Sequence, residues 1–280
     1  MSAIHLDNRL LHYEVFGRGQ PIIFLHSWLG SWRYWVPTMD LASERYRAYA
    51  LDFWGFGESE RTHGDFTISE YVELLYGFMD YMGIQRANLV GHGMGGMVAI
   101  RAATQRPEQF MRLMVIAAPF EGAVLGEVLK PGALSRLIGR NNPTNVWAKL
   151  IRSIPVDDPE VQQELYEDTE SLSEMVVQKV QQSILDTDLR ADLEALSETP
   201  LLGVYGKKDT IVSPEHAGQF LDNESDRPHQ LIELPQANHF PFLEQSNSFN
   251  RLLMDFMVSK GTPVELKEEW RRRVSQREYL

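Results

Sequence analysis

Ala87-Asn88-Leu89-Val90-Gly91-His92-Gly93-Met94-Gly95-Gly96 runs from an apolar stretch through a cluster of glycines into a helical pattern. Residues 87–90 predict a strand, and residues 94–105 predict a helix. A chain that passes this sharply from strand to helix needs residues without bulk where the two elements approach each other. Gly91 and Gly95 supply them. Gly93 is left between them, at the middle of the turn.

On the N-terminal side, residues 10–16 read as a strand, and Gly17-Arg18-Gly19-Gln20-Pro21 reads as its turn. Pro21-Ile22-Ile23-Phe24-Leu25-His26 is a short apolar run, the pattern of a strand buried on both faces of a parallel sheet. Residues 31–43 look helical, and residues 46–51 form a further strand ending at Asp52. In residues 68–82, Val72, Leu75, Phe78, Met79 and Met82 recur at helical spacing before Gly83. On the C-terminal side, residues 111–118 form another strand. The alternation of strand and helix implies a parallel sheet covered on both faces. Between about residues 121 and 198 the pattern turns helical, punctuated by Pro131, Pro143, Pro155 and Pro159. Strand signals return at 201–205 and 230–234. A last core helix is expected over 248–260 with Ser248 as its N-cap. The expected division is a core of residues 1–120 and 199–262, a helical insertion of 121–198, and a charged helical tail of 263–280.

The 280 residues suffice for one large α/β domain with an insertion. Hydrophobic residues are 43% and charged residues 24% of the chain, a globular balance. The formal net charge of -12 disfavours nucleic acid as a partner, because binding it requires clustered basic residues. The one basic cluster, Arg271-Arg272-Arg273, lies near Glu265, Glu268 and Glu269 and reads as a solvated helix face. Cysteine is absent, which excludes disulfides, thiolate metal sites and a thiol nucleophile. No apolar run reaches the roughly 18 residues of a membrane span, and residues 1–10 lack a signal-peptide core. A cytoplasmic protein, monomeric or homodimeric, with no membrane partner is expected. No metal or cofactor motif is found.

Four segments follow predicted strands in order. They are Leu25-His26-Ser27-Trp28-Leu29-Gly30-Ser31, Asp52-Phe53-Trp54-Gly55-Phe56-Gly57-Glu58-Ser59, Gly206-Lys207-Lys208-Asp209 and Asn238-His239-Phe240-Pro241-Phe242-Leu243-Glu244. With the glycine turn at 91–95, they resemble the α/β-hydrolase superfamily over nearly the whole chain, in its branch of small esterases, lactonases, C–C hydrolases and haloperoxidase-like enzymes. The first segment resembles the H-G-x-x-G-S loop, with Ser27 where glycine is usual. The second resembles D-x-x-G-x-G-x-S. The resemblance implies the α/β-hydrolase fold: an eight-stranded, mostly parallel sheet flanked by helices, with a helical cap inserted after the sixth strand. It places the turn at 91–95 as the nucleophile elbow, G-x-S-x-G, with Gly93 at the nucleophile's position.

The same resemblance implies the remaining roles. His239 would be the general base and Asp209 the acid that orients it, in the family order of positions 93, 209 and 239. The main-chain N–H groups of Trp28 and Met94 would form the oxyanion hole. Glu121 stands where some relatives carry an alternative acid, a role that Asp209 already fills. His26 and His92 read as structural. Trp28, Trp32, Tyr34, Trp35, Trp54, Phe120 and Trp147 are candidates to line an apolar pocket, at least half of them serving as packing instead. Met94, Met97, Met111 and Met114 read as core.

Glycine cannot form a covalent intermediate at position 93. It relieves backbone strain there, so it suits equally a natural loss of chemistry and an engineered replacement of serine. Three functions are compatible with it. The first is a scaffold for hydrolysing an ester, lactone or activated C–C bond in an apolar small molecule, disabled at its nucleophile. The second is non-covalent catalysis by His239 and Asp209, using a water in the room left by the missing side chain or removing a proton directly, as in a lyase or cyclase. The third is a non-enzymatic binding pocket.

Overall fold

The computed structural model describes residues 2–126, 159–170, 172–221, 227–259 and 262–266. Eight strands form one sheet: β1 Ser2–Leu6, β2 Arg9–Gly17, β3 Gln20–Leu25, β4 Tyr46–Leu51, β5 Ala87–His92, β6 Phe110–Ile116, β7 Leu201–Gly206 and β8 His229–Leu234. Their spatial order is β1-β2-β4-β3-β5-β6-β7-β8. The pairs β1/β2 and β2/β4 are antiparallel, and every other neighbouring pair is parallel. This is the sheet the sequence resemblance implies. All six residues of β5 and of β7 are buried, as expected for strands covered on both faces.

Among the described residues, nine α-helices accompany the sheet: α1 Val36–Ala42, α2 Ile68–Tyr81, α3 Met94–Gln105, α4 Pro159–Glu170, α5 Glu174–Leu185, α6 Arg190–Ala195, α7 Pro214–Gly218, α8 Pro241–Glu244 and α9 Ser246–Val258. Thr67 caps α2 by accepting from the Glu70 N–H at 3.1 Å. Helices α4, α5 and α6 lie between β6 and β7, in the stretch read as helical. Residues 127–158, which include Trp147, lie outside the described residues, as do residues 267–280 of the expected tail. No helix of the described residues is long and apolar enough to cross a membrane.

Several local expectations are corrected. Strand β1 has no counterpart in the sequence reading. It pairs with β2 through Asp7 and Asn8, both at positive φ (49° and 60°), the signature of a two-residue hairpin whose twist matches its strands. The helix expected over 31–43 is a 3-10 turn, Trp32–Trp35, followed by α1, with Pro37 near its start. Helix α9 begins at Ser246, so Ser248 lies inside it and is not its cap. The chain after α9 is not free of the core at once. Val264 is buried, and its main chain exchanges hydrogen bonds with the Gln230 side chain on β8.

The parallel strands β3, β4, β5, β7 and β8 all end on one side of the sheet. Ser27, Asp52, Gly93, Asp209 and His239 all follow those ends. Open α/β sheets place their sites at this edge.

Candidate active site

The turn between β5 and α3 has the geometry that its glycines foretell. Gly93 adopts φ 51° and ψ -114°, a conformation that residues bearing a Cβ rarely take. A Cβ on Gly91 would run into the Gly95 carbonyl, and one on Gly95 would run into the Leu25 carbonyl. Strand, helix and the neighbouring β3 therefore approach more closely than any other residue type allows. The Gly93 N–H donates to the Ile116 carbonyl at 2.8 Å, which ties the apex to β6. Met94 N–H, at the first position of α3, has no partner within its helix.

Asp209 and His239, 30 positions apart in sequence, meet at this edge. His239 Nδ1 lies 2.8 Å from Asp209 Oδ2, with both residues buried. The other carboxylate oxygen of Asp209 accepts from the Ile211 N–H at 2.8 Å and the Val212 N–H at 3.2 Å, so the acid is held on both sides. An imidazole oriented in this way donates from Nδ1 and accepts a proton at Nε2.

His92, read as structural, joins this pair to the loop after β3. Its Nε2 lies 2.9 Å from the His239 carbonyl oxygen, and its ring stands 4.8 Å from the His239 ring. Because a carbonyl only accepts, the proton sits on His92 Nε2. Nδ1 then accepts from the Tyr34 hydroxyl at 3.3 Å. Tyr34 in turn accepts from the Ser27 N–H. Burial, and next the nearby His239, push the His92 pKa well below its ordinary value, so the ring is neutral. Tyr34 and His92 therefore link the two loops, a connection that no local sequence signal announces.

The Ser27 main chain is clamped from three sides. Besides its bond to Tyr34, its carbonyl accepts from His26 Nδ1 at 2.7 Å and from the Gly30 N–H at 3.1 Å. His26 Nε2 accepts from the Phe53 N–H at 2.9 Å, which confirms His26 as a support of loop backbone. Asp52, fully buried, accepts from Trp32 N–H at 2.8 Å, Glu58 N–H at 2.9 Å and His12 Nδ1 at 2.8 Å. A Cβ on Gly57 would overlap the Asp52 carboxylate, which accounts for the glycine there.

The place of a side chain on Gly93 is crowded by Ser27. A Cβ on Gly93 would fall on the Ser27 hydroxyl and stand 3.0 Å from Ser27 Cβ. Ser27 therefore borders the space left by the glycine. The departure at position 27 was visible in sequence, but its meeting with position 93 was not.

Other candidates separate clearly. Glu121 forms an ion pair with Arg190 at 3.2 Å and bridges Asp188, consistent with a structural position. Trp35 stacks on Phe242 at 4.4 Å and is core. Trp28, Tyr34, Trp54, Phe120 and Met94 are buried, and Trp32 is partly so. Arg33 bonds Glu58 at 2.6 Å and Asp168 of α4 at 3.0 Å, and Ser31 donates to the same aspartate, so the loop after β3 is fastened to the helical insertion. Among the described residues, no cluster of His, Asp and Glu is arranged to hold a metal ion.

Comparisons with known proteins agree with this architecture. A family model described as alpha/beta hydrolase fold matches residues 20–246. The chain is 28% identical over 262 residues to the dihydrolipoyllysine-residue acetyltransferase component of the acetoin cleaving system of Pseudomonas putida, covering 90% of this chain and 68% of that protein. It is also 28% identical over 267 residues to the pimeloyl-(acyl-carrier protein) methyl ester esterase of Shewanella woodyi, covering 88% of this chain and 97% of that one. Among solved structures, the enol-lactonase from Burkholderia xenovorans matches with a TM-score of 0.77 at 22% identity, covering 92% and 100% of the two chains. At that identity the likeness speaks for the fold alone.

Proposed function

Because the chain belongs to the α/β-hydrolase fold family, we propose that it is built to hydrolyse an ester, lactone or activated C–C bond in an apolar small molecule, with the nucleophile of the elbow absent at Gly93. The observation that carries this reading is the buried His239–Asp209 pair, 2.8 Å apart, beside the turn at Gly93. His239 serves as general base and acid, and Asp209 holds its tautomer and stabilises the imidazolium. Trp28 and Met94 offer their main-chain N–H groups to the developing oxyanion. The relative from Shewanella woodyi is named for methyl ester hydrolysis, which favours an ester among these bonds.

The helical insertion between β6 and β7 acts as a cap over this site. Its support is the fastening of Asp168 to Arg33 and Ser31. Water activation without a covalent step is less favoured, because the Ser27 hydroxyl crowds the position of a Cβ on Gly93. The test is the paired exchange Ser27→Gly with Gly93→Ser, which returns the hydroxyl to the elbow and clears the residue it would strike. This variant is expected to hydrolyse p-nitrophenyl esters and to take a fluorophosphonate label at position 93. Failure of both would overturn the reading.

A further inference from the structure

We infer that Ser27 is the nucleophile of this site, relocated from the elbow to the loop after β3. The inference rests on the hydrolase reading above and deepens it.

Three observations converge. First, a Cβ on Gly93 would run into the Ser27 hydroxyl, so that hydroxyl stands close to where a side chain at the elbow would begin. A serine Oγ at the elbow would lie about 1.4 Å beyond its own Cβ, an ordinary single-bond length near that of a backbone N–Cα bond. The Ser27 hydroxyl therefore falls within a few ångströms of the place from which an elbow nucleophile attacks. Second, Gly93 follows His92 directly, and the His92 ring contacts the His239 ring and binds its carbonyl, so the base belongs to the same cluster. Third, the Ser27 main chain is clamped at its N–H by Tyr34 and at its carbonyl by His26 and Gly30, whereas its hydroxyl has no hydrogen-bond partner among the described residues. A fixed backbone carrying an uncommitted hydroxyl is the preparation that a nucleophile needs.

The relocation preserves the rest of the site. An elbow nucleophile uses the N–H of the residue that follows it together with an N–H from the loop after β3. With Ser27 as nucleophile the two donors exchange parts. Trp28 becomes the residue that follows the nucleophile, and Met94, at the start of α3, becomes the donor from across the site. In the acylation step Ser27 Oγ forms a bond to the acyl carbon while its proton passes to His239 Nε2. The tetrahedral intermediate collapses by breaking the bond to the leaving alkoxide, which takes the proton from His239. Water then attacks the acyl-Ser27 ester, giving its proton to His239. Release of the carboxylic acid returns that proton to Ser27 Oγ.

The experiment treats the full chain with a serine-directed fluorophosphonate and maps the adduct by peptide mass, beside p-nitrophenyl acetate hydrolysis. An adduct on Ser27, lost in Ser27→Ala and His239→Ala together with a fall in kcat/KM of at least about 10³-fold, is expected. The mapping on the unaltered chain needs no variant to fold. If the unaltered chain takes no adduct on Ser27 while the paired exchange labels at position 93, the proposal is overturned and the hydrolase reading stands. If neither protein labels nor hydrolyses ester, both fall.

Discussion

His92 Nε2 lies 2.9 Å from the His239 carbonyl oxygen, so the residue immediately before the apical glycine supports the loop that carries the candidate base. His92→Phe keeps an aromatic ring in the core but leaves that carbonyl, and the Tyr34 hydroxyl, short of a partner. A buried group stripped of its hydrogen bond costs about 1–3 kcal/mol. Urea unfolding should show a loss of this size, without a change in slope.

The stability of the folded chain should depend on pH through histidines of opposite sign, with His92, His26, His216 and His229 lowered and His12 raised. The folded pKa of His92 is depressed well below 6.5, by burial first and by His239 next. Its contribution is therefore complete above 6.5 and declines as pH falls from there toward the folded value. His12 is the reverse. Burial acts to lower its pKa, but the hydrogen bond and charge of Asp52, with Glu58 and Glu14, outweigh this and raise it above 6.5. Its contribution is complete below 6.5 and is lost as pH rises through the raised value. Melting temperatures measured from pH 5 to 9 should fall at the acid end, less so in His92→Phe. The alkaline limb should flatten in His12→Asn.

Asp209→Asn should separate orientation from presence. Asparagine can still accept from the Ile211 and Val212 N–H groups, so the loop is kept, but it cannot hold His239 in the same tautomer. Loss of the corresponding contact in a serine hydrolase lowers kcat by about 10⁴. With Ser27 as the nucleophile, ester hydrolysis by the unaltered chain should drop by that order, with a melting temperature close to the parent's.

Ser27 and Gly93 should be strongly coupled in stability. Gly93→Ala brings a Cβ onto the Ser27 hydroxyl and into a backbone conformation that disfavours it. Overpacking and backbone strain each cost about 1–3 kcal/mol. Adding Ser27→Gly removes the first and leaves the second. A double-mutant cycle by denaturant unfolding should return a favourable interaction of about 1–3 kcal/mol.

Arg33→Met should loosen the helical insertion selectively. It removes the bonds to Glu58 and to Asp168, whose pKa is raised by burial against the opposing effects of Ser31 and Arg33. Hydrogen exchange should accelerate in α4, Pro159–Glu170, while β5 and β7 keep their protection.

Where the chain obeys short-range rules, its architecture was legible. Strand β4 and helix α3 begin and end where apolar periodicity and glycine placement put them. Asp209 and His239 were legible as a pair only through the order of several motifs, since neither residue stands out by itself. Strand β1 leaves little apolar pattern to read, since only Ile4 of its five residues is buried, although Asp7-Asn8 carries the hairpin chemistry. The Tyr34–His92 link and the meeting of Ser27 with Gly93 join residues 58 and 66 positions apart. Such contacts are set by how β3 and β5 lie side by side, and no periodicity within either segment encodes them.

The interlock at positions 27 and 93 also constrains how such a site changes over generations. A Cβ at position 93 runs into the Ser27 hydroxyl, so serine at both positions is crowded. Two serines collide, and two glycines leave the site without a hydroxyl. Any route by single substitutions between the two one-serine arrangements must therefore cross a crowded intermediate or an empty one. A change from one arrangement to the other is therefore easiest when both positions alter together.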